Sequence, residues 1–153
     1  MLAQAIAEAP APLTAEFRKV HQFNVFTVNT PMQHGLARYM GGPQPYLELP
    51  AFYQRKRDLF RAGLVATRLR LLPSQGSYFQ CVDYSAVSDV GEFEFCRWLT
   101  REIGVATIPG SSFYLTPGAG SNLVRFCYAK KDETLVEAGR RLARLTINAG
   151  GRA

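Results

Sequence analysis

No run of apolar residues in this 153-residue chain is long enough to cross a membrane, which takes about twenty in a row. Histidine is scarce: His21 and His34 are the only two, and neither has a partner at metal-ligand spacing, so no metal site is expected. The three cysteines, Cys81, Cys96 and Cys127, are odd in number and widely spaced. They make neither a disulfide framework nor a CxxC pair, and each sits in an apolar pattern. Reduced, buried thiols in a cytoplasmic protein are the expectation. The Ala-rich opening, residues 1–12, has no basic start and is interrupted by Glu8, so it reads as a leader without specified structure rather than a signal peptide. No internal repeats occur.

Lysine is also rare. Four lysines stand against fourteen arginines, and the net charge is +6. A basic balance can mark a nucleic-acid surface, but these arginines are scattered and no nucleic-acid motif accompanies them, so no such partner is expected. Attraction to acidic small molecules fits the charge equally well. With 47% hydrophobic and 20% charged residues, the chain has ordinary globular composition.

The pattern predicts helices and strands in alternation. Thr14 can cap a first helix, and Thr30-Pro31-Met32-Gln33 supplies a cap hydroxyl, a proline at the first helical position and a glutamine three residues on, starting a helix to about Met40. Two glycines and three prolines make residues 41–50 a linker or sub-domain boundary. A helix over 50–62 follows, with Phe52, Leu59 and Phe60 buried, Arg55, Lys56 and Arg57 solvated, and Gly63 closing it. Thr67, Leu69 and Leu71 alternate with Arg68 and Arg70 as a half-buried strand, and a turn at 73–76 leads to a second strand over 77–83. Asp89 and Glu92 resemble a capping pair before Phe93, Cys96, Leu99 and Ile103 at helical spacing. A short strand at 105–108, a flexible loop at 116–122, a strand over 123–129 and a last helix from Asp132 complete the order, with a frayed tail after 147. The order suggests an α/β sandwich with a mixed sheet flanked by helices.

Arg125 is the main candidate site residue. A period of two puts Val124, Phe126 and Tyr128 on one face of its strand and Leu123, Arg125 and Cys127 on the other. The three apolar groups would anchor the strand while Arg125 leaves the sheet beside a Gly-rich loop. A guanidinium fixed on a strand can grip a carboxylate through two parallel hydrogen bonds, which lysine cannot imitate. A structural salt bridge or a solvated edge position is the alternative.

Residues 124–130, Val-Arg-Phe-Cys-Tyr-Ala-Lys, resemble the segment that carries the substrate-carboxylate arginine in class I/II aminotransferases. Residues 19–22, 29–33, 73–79 and 105–114 resemble further family segments, in the family's order and approximate spacing, and Phe95-Cys96-Arg97-Trp98-Leu99 has a counterpart as well. The likeness runs from about Leu13 to Leu145 and is nearest the methionine, glutamine and kynurenine subgroup. It implies a fold-type I architecture: residues 13–42 as the helical end of the large pyridoxal-phosphate domain, 43–147 as the small carboxyl-terminal domain, and 1–12 and 148–153 unmatched. It implies transfer of an amino group from an amino acid to a 2-oxo acid with pyridoxal phosphate, in a homodimer of the full-length enzyme.

By the same resemblance, Arg125 would fix the substrate α-carboxylate, and Asn29 would hold a substrate-side position near the partner subunit. Asn29 could equally serve only to start its helix. In the family the Schiff-base lysine lies just upstream of the residues that match Leu13. Lys19, Lys56, Lys130 and Lys131 occupy no such motif. The chain alone is therefore expected to lack transaminase activity and to hold no cofactor covalently. The competing class is a non-catalytic module that binds a carboxylate or a protein partner, through Arg125 or through the helices of residues 13–42.

Overall fold

The structure is a computed structural model that describes residues 9–146. The tail expected to fray and most of the opening leader lie outside the described residues. The chain divides into two compact units, one ending at Leu47 and the other beginning at Glu48.

The first unit holds α1 (Ala11–Asn24), α2 (Thr30–Met40) and the single turn α3 (Gln44–Leu47). Pro12 lies in the first turn of α1, where its missing N–H costs no intrahelical bond. The Thr14 hydroxyl donates back to the Ala9 carbonyl at 3.0 Å, so it does not cap the helix as expected. The start of α2 also differs by one position. Asn29, not Thr30, is the cap, its Oδ1 accepting the Met32 N–H at 3.1 Å. An asparagine amide reaches that N–H as well as a hydroxyl does, and Pro31 still falls in the first turn. Neither α1 nor α2 has a buried residue, and Phe23 and Phe26 are 85% and 103% exposed.

The second unit opens with α4 (Leu49–Leu64). Gly63 does not close this helix but lies inside it, because its missing side chain is used for packing. A Cβ on Gly139 would come within 2.9 Å of the Gly63 Cα, so α4 meets α6 (Asp132–Leu142) backbone to backbone at this pair. Two expected faces are exchanged as well. Phe52 is 41% exposed, while Lys56 is buried at 7%. The Lys56 ammonium ion-pairs with Asp132 Oδ1 at 2.6 Å and donates to the Lys130 carbonyl at 2.6 Å. A lysine can be buried when its charge is paired this way, and both partners lie more than seventy residues along the chain.

The sheet has four strands: β1 (Arg70–Leu71), β2 (Phe79–Asp83), β3 (Ile108–Pro109) and β4 (Leu123–Cys127), in the order β1-β2-β4-β3. Every neighbouring pair is antiparallel, so the sheet is not mixed. The reason is topological: β1 and β4 run one way and β2 and β3 the other, and the order β1-β2-β4-β3 alternates them so that no two strands of the same direction are neighbours. The strands are shorter than the apolar pattern suggests, although burial still alternates along β2 and β4. Val82, Tyr84, Val124, Phe126 and Tyr128 join Phe60, Leu64, Leu135 and Leu142 from α4 and α6 in a single core.

Between β2 and β3 comes α5 (Glu92–Trp98), which widens into a π-helical turn at Leu99–Ile103 and stops at Gly104, with φ 72°. No side chain caps α5, so Asp89 and Glu92 do not form the expected pair. Glu92 instead accepts from Ser111, which holds its carboxyl below the usual value. The buried aromatic of α5 is Phe95, stacked on Tyr84 with centroids 4.0 Å apart, whereas Phe93 is 54% exposed. Cys96 is buried and accepts from the Thr107 hydroxyl at 3.0 Å, and burial pushes its thiol pKa up. Cys81 and Cys127 are only half-buried, because they point from the sheet face away from the core.

Candidate functional site

Arg125 sits at the centre of β4, paired with Cys81 of β2 on one side and Ile108 of β3 on the other. On the core face its neighbours Val124 and Phe126 are 0% and 2% exposed, so the strand cannot rotate without emptying the core. That alternation is legible in the sequence, and it directs the guanidinium to the other face.

There the guanidinium meets two phenyl rings. Its carbon lies 3.8 Å from the Phe79 centroid and 4.1 Å from that of Phe113. Phe79 comes from β2 and Phe113 from the turn after β3, so rings of two different elements stack on the guanidinium. Phe79 is placed by strand register, since it opposes Cys127, two residues beyond Arg125. Phe113 ends a 3-10 turn, Gly110–Phe113, directly after β3.

That turn is seated by two glycines. A Cβ on Gly110 would fall 2.6 Å from the Gly120 carbonyl oxygen, and one on Gly120 would fall 2.7 Å from the Gly110 carbonyl carbon. Gly120 also has φ +76°, a conformation that a side chain strains. The expected flexible loop at 116–122 is a run of turns, with Leu123 N–H donating to the Gly120 carbonyl at 3.2 Å.

The carboxylates nearby are engaged elsewhere. Asp83 accepts from Ser85 and pairs with Arg70 at 2.6 Å, and these contacts, Ser85 first, lower its pKa to about 2. Glu92 is bound to Ser111. Among the described residues no acidic group forms an ion pair with Arg125, and its Nε is buried with no hydrogen-bond partner. Neither a structural salt bridge nor a solvated edge describes this geometry. A buried donor without an acceptor is costly, and a carboxylate entering in the guanidinium plane would relieve the cost.

Asn29 belongs to the other unit, where its side chain caps α2. Sequence reasoning missed Phe79 and Phe113. Both lie in the segments 73–79 and 105–114, but only the β2–β4 register and the glycine-seated turn bring them to Arg125. A cleft of about 490 Å³ in the second unit is lined by Phe60, Val105, Phe126, Lys130, Glu133 and Arg141 among others, and Arg125 is not part of it.

The chain matches the family described as aminotransferase class I and II over residues 4–142. It belongs to the class I and II aminotransferases. It is 51% identical over 138 residues to a methionine aminotransferase of Escherichia coli, covering 90% of this chain and 36% of that protein. A solved structure of a methionine aminotransferase from that organism superposes with a TM-score of 0.79 over 89% of this chain and 36% of the other. A probable N-succinyldiaminopimelate aminotransferase of Mycobacterium tuberculosis is 34% identical over 88% of this chain and 36% of its own length. The chain thus spans about a third of the length of the aminotransferases it matches, and its fold is that of their corresponding portion.

Lys19 is exposed and paired with Glu16 at 2.8 Å, Lys56 is buried against Asp132, and Lys131 is the residue preceding α6. No described helix is long and apolar enough to cross a membrane.

Proposed function

We propose that this chain supplies the substrate-carboxylate end of a pyridoxal-phosphate transaminase. Such an enzyme would move an amino group from an amino acid of the methionine, glutamine or aromatic class to a 2-oxo acid. The observation that carries this reading is the Arg125 guanidinium, held rigidly, free of any described carboxylate and with a buried donor unpaired. The chain's own part is to bind and orient: Arg125 would grip the α-carboxylate in its plane, and Asn29 would stand at a second substrate-side position beside its capping role. The full-length enzyme would be a cytoplasmic homodimer. The 153 residues alone would neither turn over nor hold pyridoxal phosphate covalently.

Calorimetric titration with methionine and with its 2-oxo acid tests this. Both are expected to bind, and Arg125→Lys to weaken them about tenfold or more, because an ammonium cannot make the bidentate contact. Equal affinity in the lysine variant would overturn the assignment. A Schiff-base absorption band with pyridoxal phosphate, lost on replacing one of the four lysines, would overturn the expected lack of covalent cofactor.

A second reading is favoured by one observation, the absence of any buried residue in α1 and α2. With Phe23 and Phe26 open, this unit would act as a partner-binding module. Sedimentation velocity is expected to show concentration-dependent association, diminished in Phe23→Ser/Phe26→Ser. A monomer at high concentration would remove this reading.

A further inference from the structure

We infer that Phe79 and Phe113 are positioning residues that hold the Arg125 guanidinium in one plane, and that the Gly110–Gly120 contact sets Phe113 in place. This deepens the proposed function and rests on its reading of Arg125 as a carboxylate grip.

The physical case begins with what an arginine side chain does unaided. It has four rotatable bonds, and fixing it costs conformational entropy at the moment of binding. Here the guanidinium stacks on two rings, at 3.8 and 4.1 Å, mounted on different elements. Stacking on an aromatic face is attractive for a cation and does not compete with hydrogen bonding in the guanidinium plane. The ordering is thus done on folding, before any ligand arrives. A carboxylate is planar and meets a guanidinium best in a shared plane, so a fixed plane fixes the ligand's orientation too.

The two rings are not equivalent. Phe79 is set by the β2–β4 register and moves only with the sheet. Phe113 is 54% exposed and rides on the turn Gly110–Phe113, whose seat is the close approach of Gly110 to Gly120. Phe113 is therefore the ring that can be changed without disturbing the core. It is also the ring that any change at Gly120 would displace.

Nitrogen-15 and proton NMR of the arginine side chains in the 153-residue chain reads the arrangement directly. The Arg125 Hε signal, assigned by its loss in Arg125→Lys, is expected upfield of the other arginine Hε signals, because it lies beside two ring currents. Phe113→Leu should move it back towards them and weaken methionine binding, followed at the same signal, by about tenfold. Phe113→Tyr, which keeps a ring, should retain both properties within about twofold. Unchanged denaturation midpoints in both variants would exclude a general loss of structure. An unshifted Hε in the unsubstituted chain, or full affinity in Phe113→Leu, overturns the positioning role and leaves the carboxylate reading standing. An upfield Hε that does not respond to methionine overturns the carboxylate grip itself, and the positioning role for it.

Discussion

Replacing Phe95 with alanine is expected to destabilise the second unit by about 3–5 kcal/mol, whereas the same change at Phe93, two residues away, should stay within about 0.5 kcal/mol. Phe95 is 0% exposed, stacks almost parallel on Tyr84 and lies 5.7 Å from Trp98, so its removal leaves a cavity between α5 and the sheet. Phe93 is 54% exposed and loses little when truncated. Urea denaturation of the two variants checks this. Equal midpoints would show that α5 does not present the face described.

Alanine at Gly139 should be destabilising by about 1–3 kcal/mol, even though alanine is the better helix former by about 1 kcal/mol. The added methyl group would stand 2.9 Å from the Gly63 Cα, and backbone on that side cannot move aside without separating α4 from α6. Gly63→Ala should behave alike, since its methyl would lie 3.0 Å from the Gly139 Cα. Gly35 provides the control. It lies within α2, nothing stands within 4 Å of where an added methyl group would lie, and Gly35→Ala should be neutral or stabilising by up to about 1 kcal/mol. Chemical denaturation, with one probe in each unit, separates the two outcomes. A stabilised Gly139→Ala would mean that the helices do not approach so closely.

The parts of the fold legible in the sequence are those decided by neighbours in the chain. The alternation along β4 places Val124, Phe126 and Tyr128 in the core and Arg125 opposite, and all four stand there. The helix from Asp132 and the helix ending at Met40 start and stop where local signals put them, apart from the exchange of Thr30 for Asn29 as the cap. What is not legible depends on residues far away. Gly63 looks like a helix stop because nothing nearby reveals Gly139. Lys56 looks solvated because its acceptors, Asp132 and the Lys130 carbonyl, come from the opposite end of the unit. Phe93 shares the helical spacing of Cys96, Leu99 and Ile103, yet Phe95 is the buried aromatic, and that spacing passes into a π-helical turn at Leu99–Ile103. The candidate site divides the same way: Arg125 follows from a strand pattern, while its two rings need the register of β2 and the seat of a turn more than ten residues upstream of Arg125.

The order of the sheet has one more consequence. Its outer strands, β1 and β3, are two residues long, so each margin offers only a short row of free N–H and C=O groups. On β1 that row carries the charged, exposed Arg70, held by Asp83, and on β3 it carries Pro109, which has no N–H to give. The long strands, β2 and β4, are both interior. An incoming extended chain therefore finds no template on which to continue the sheet, which guards against edge-to-edge aggregation and fibril growth.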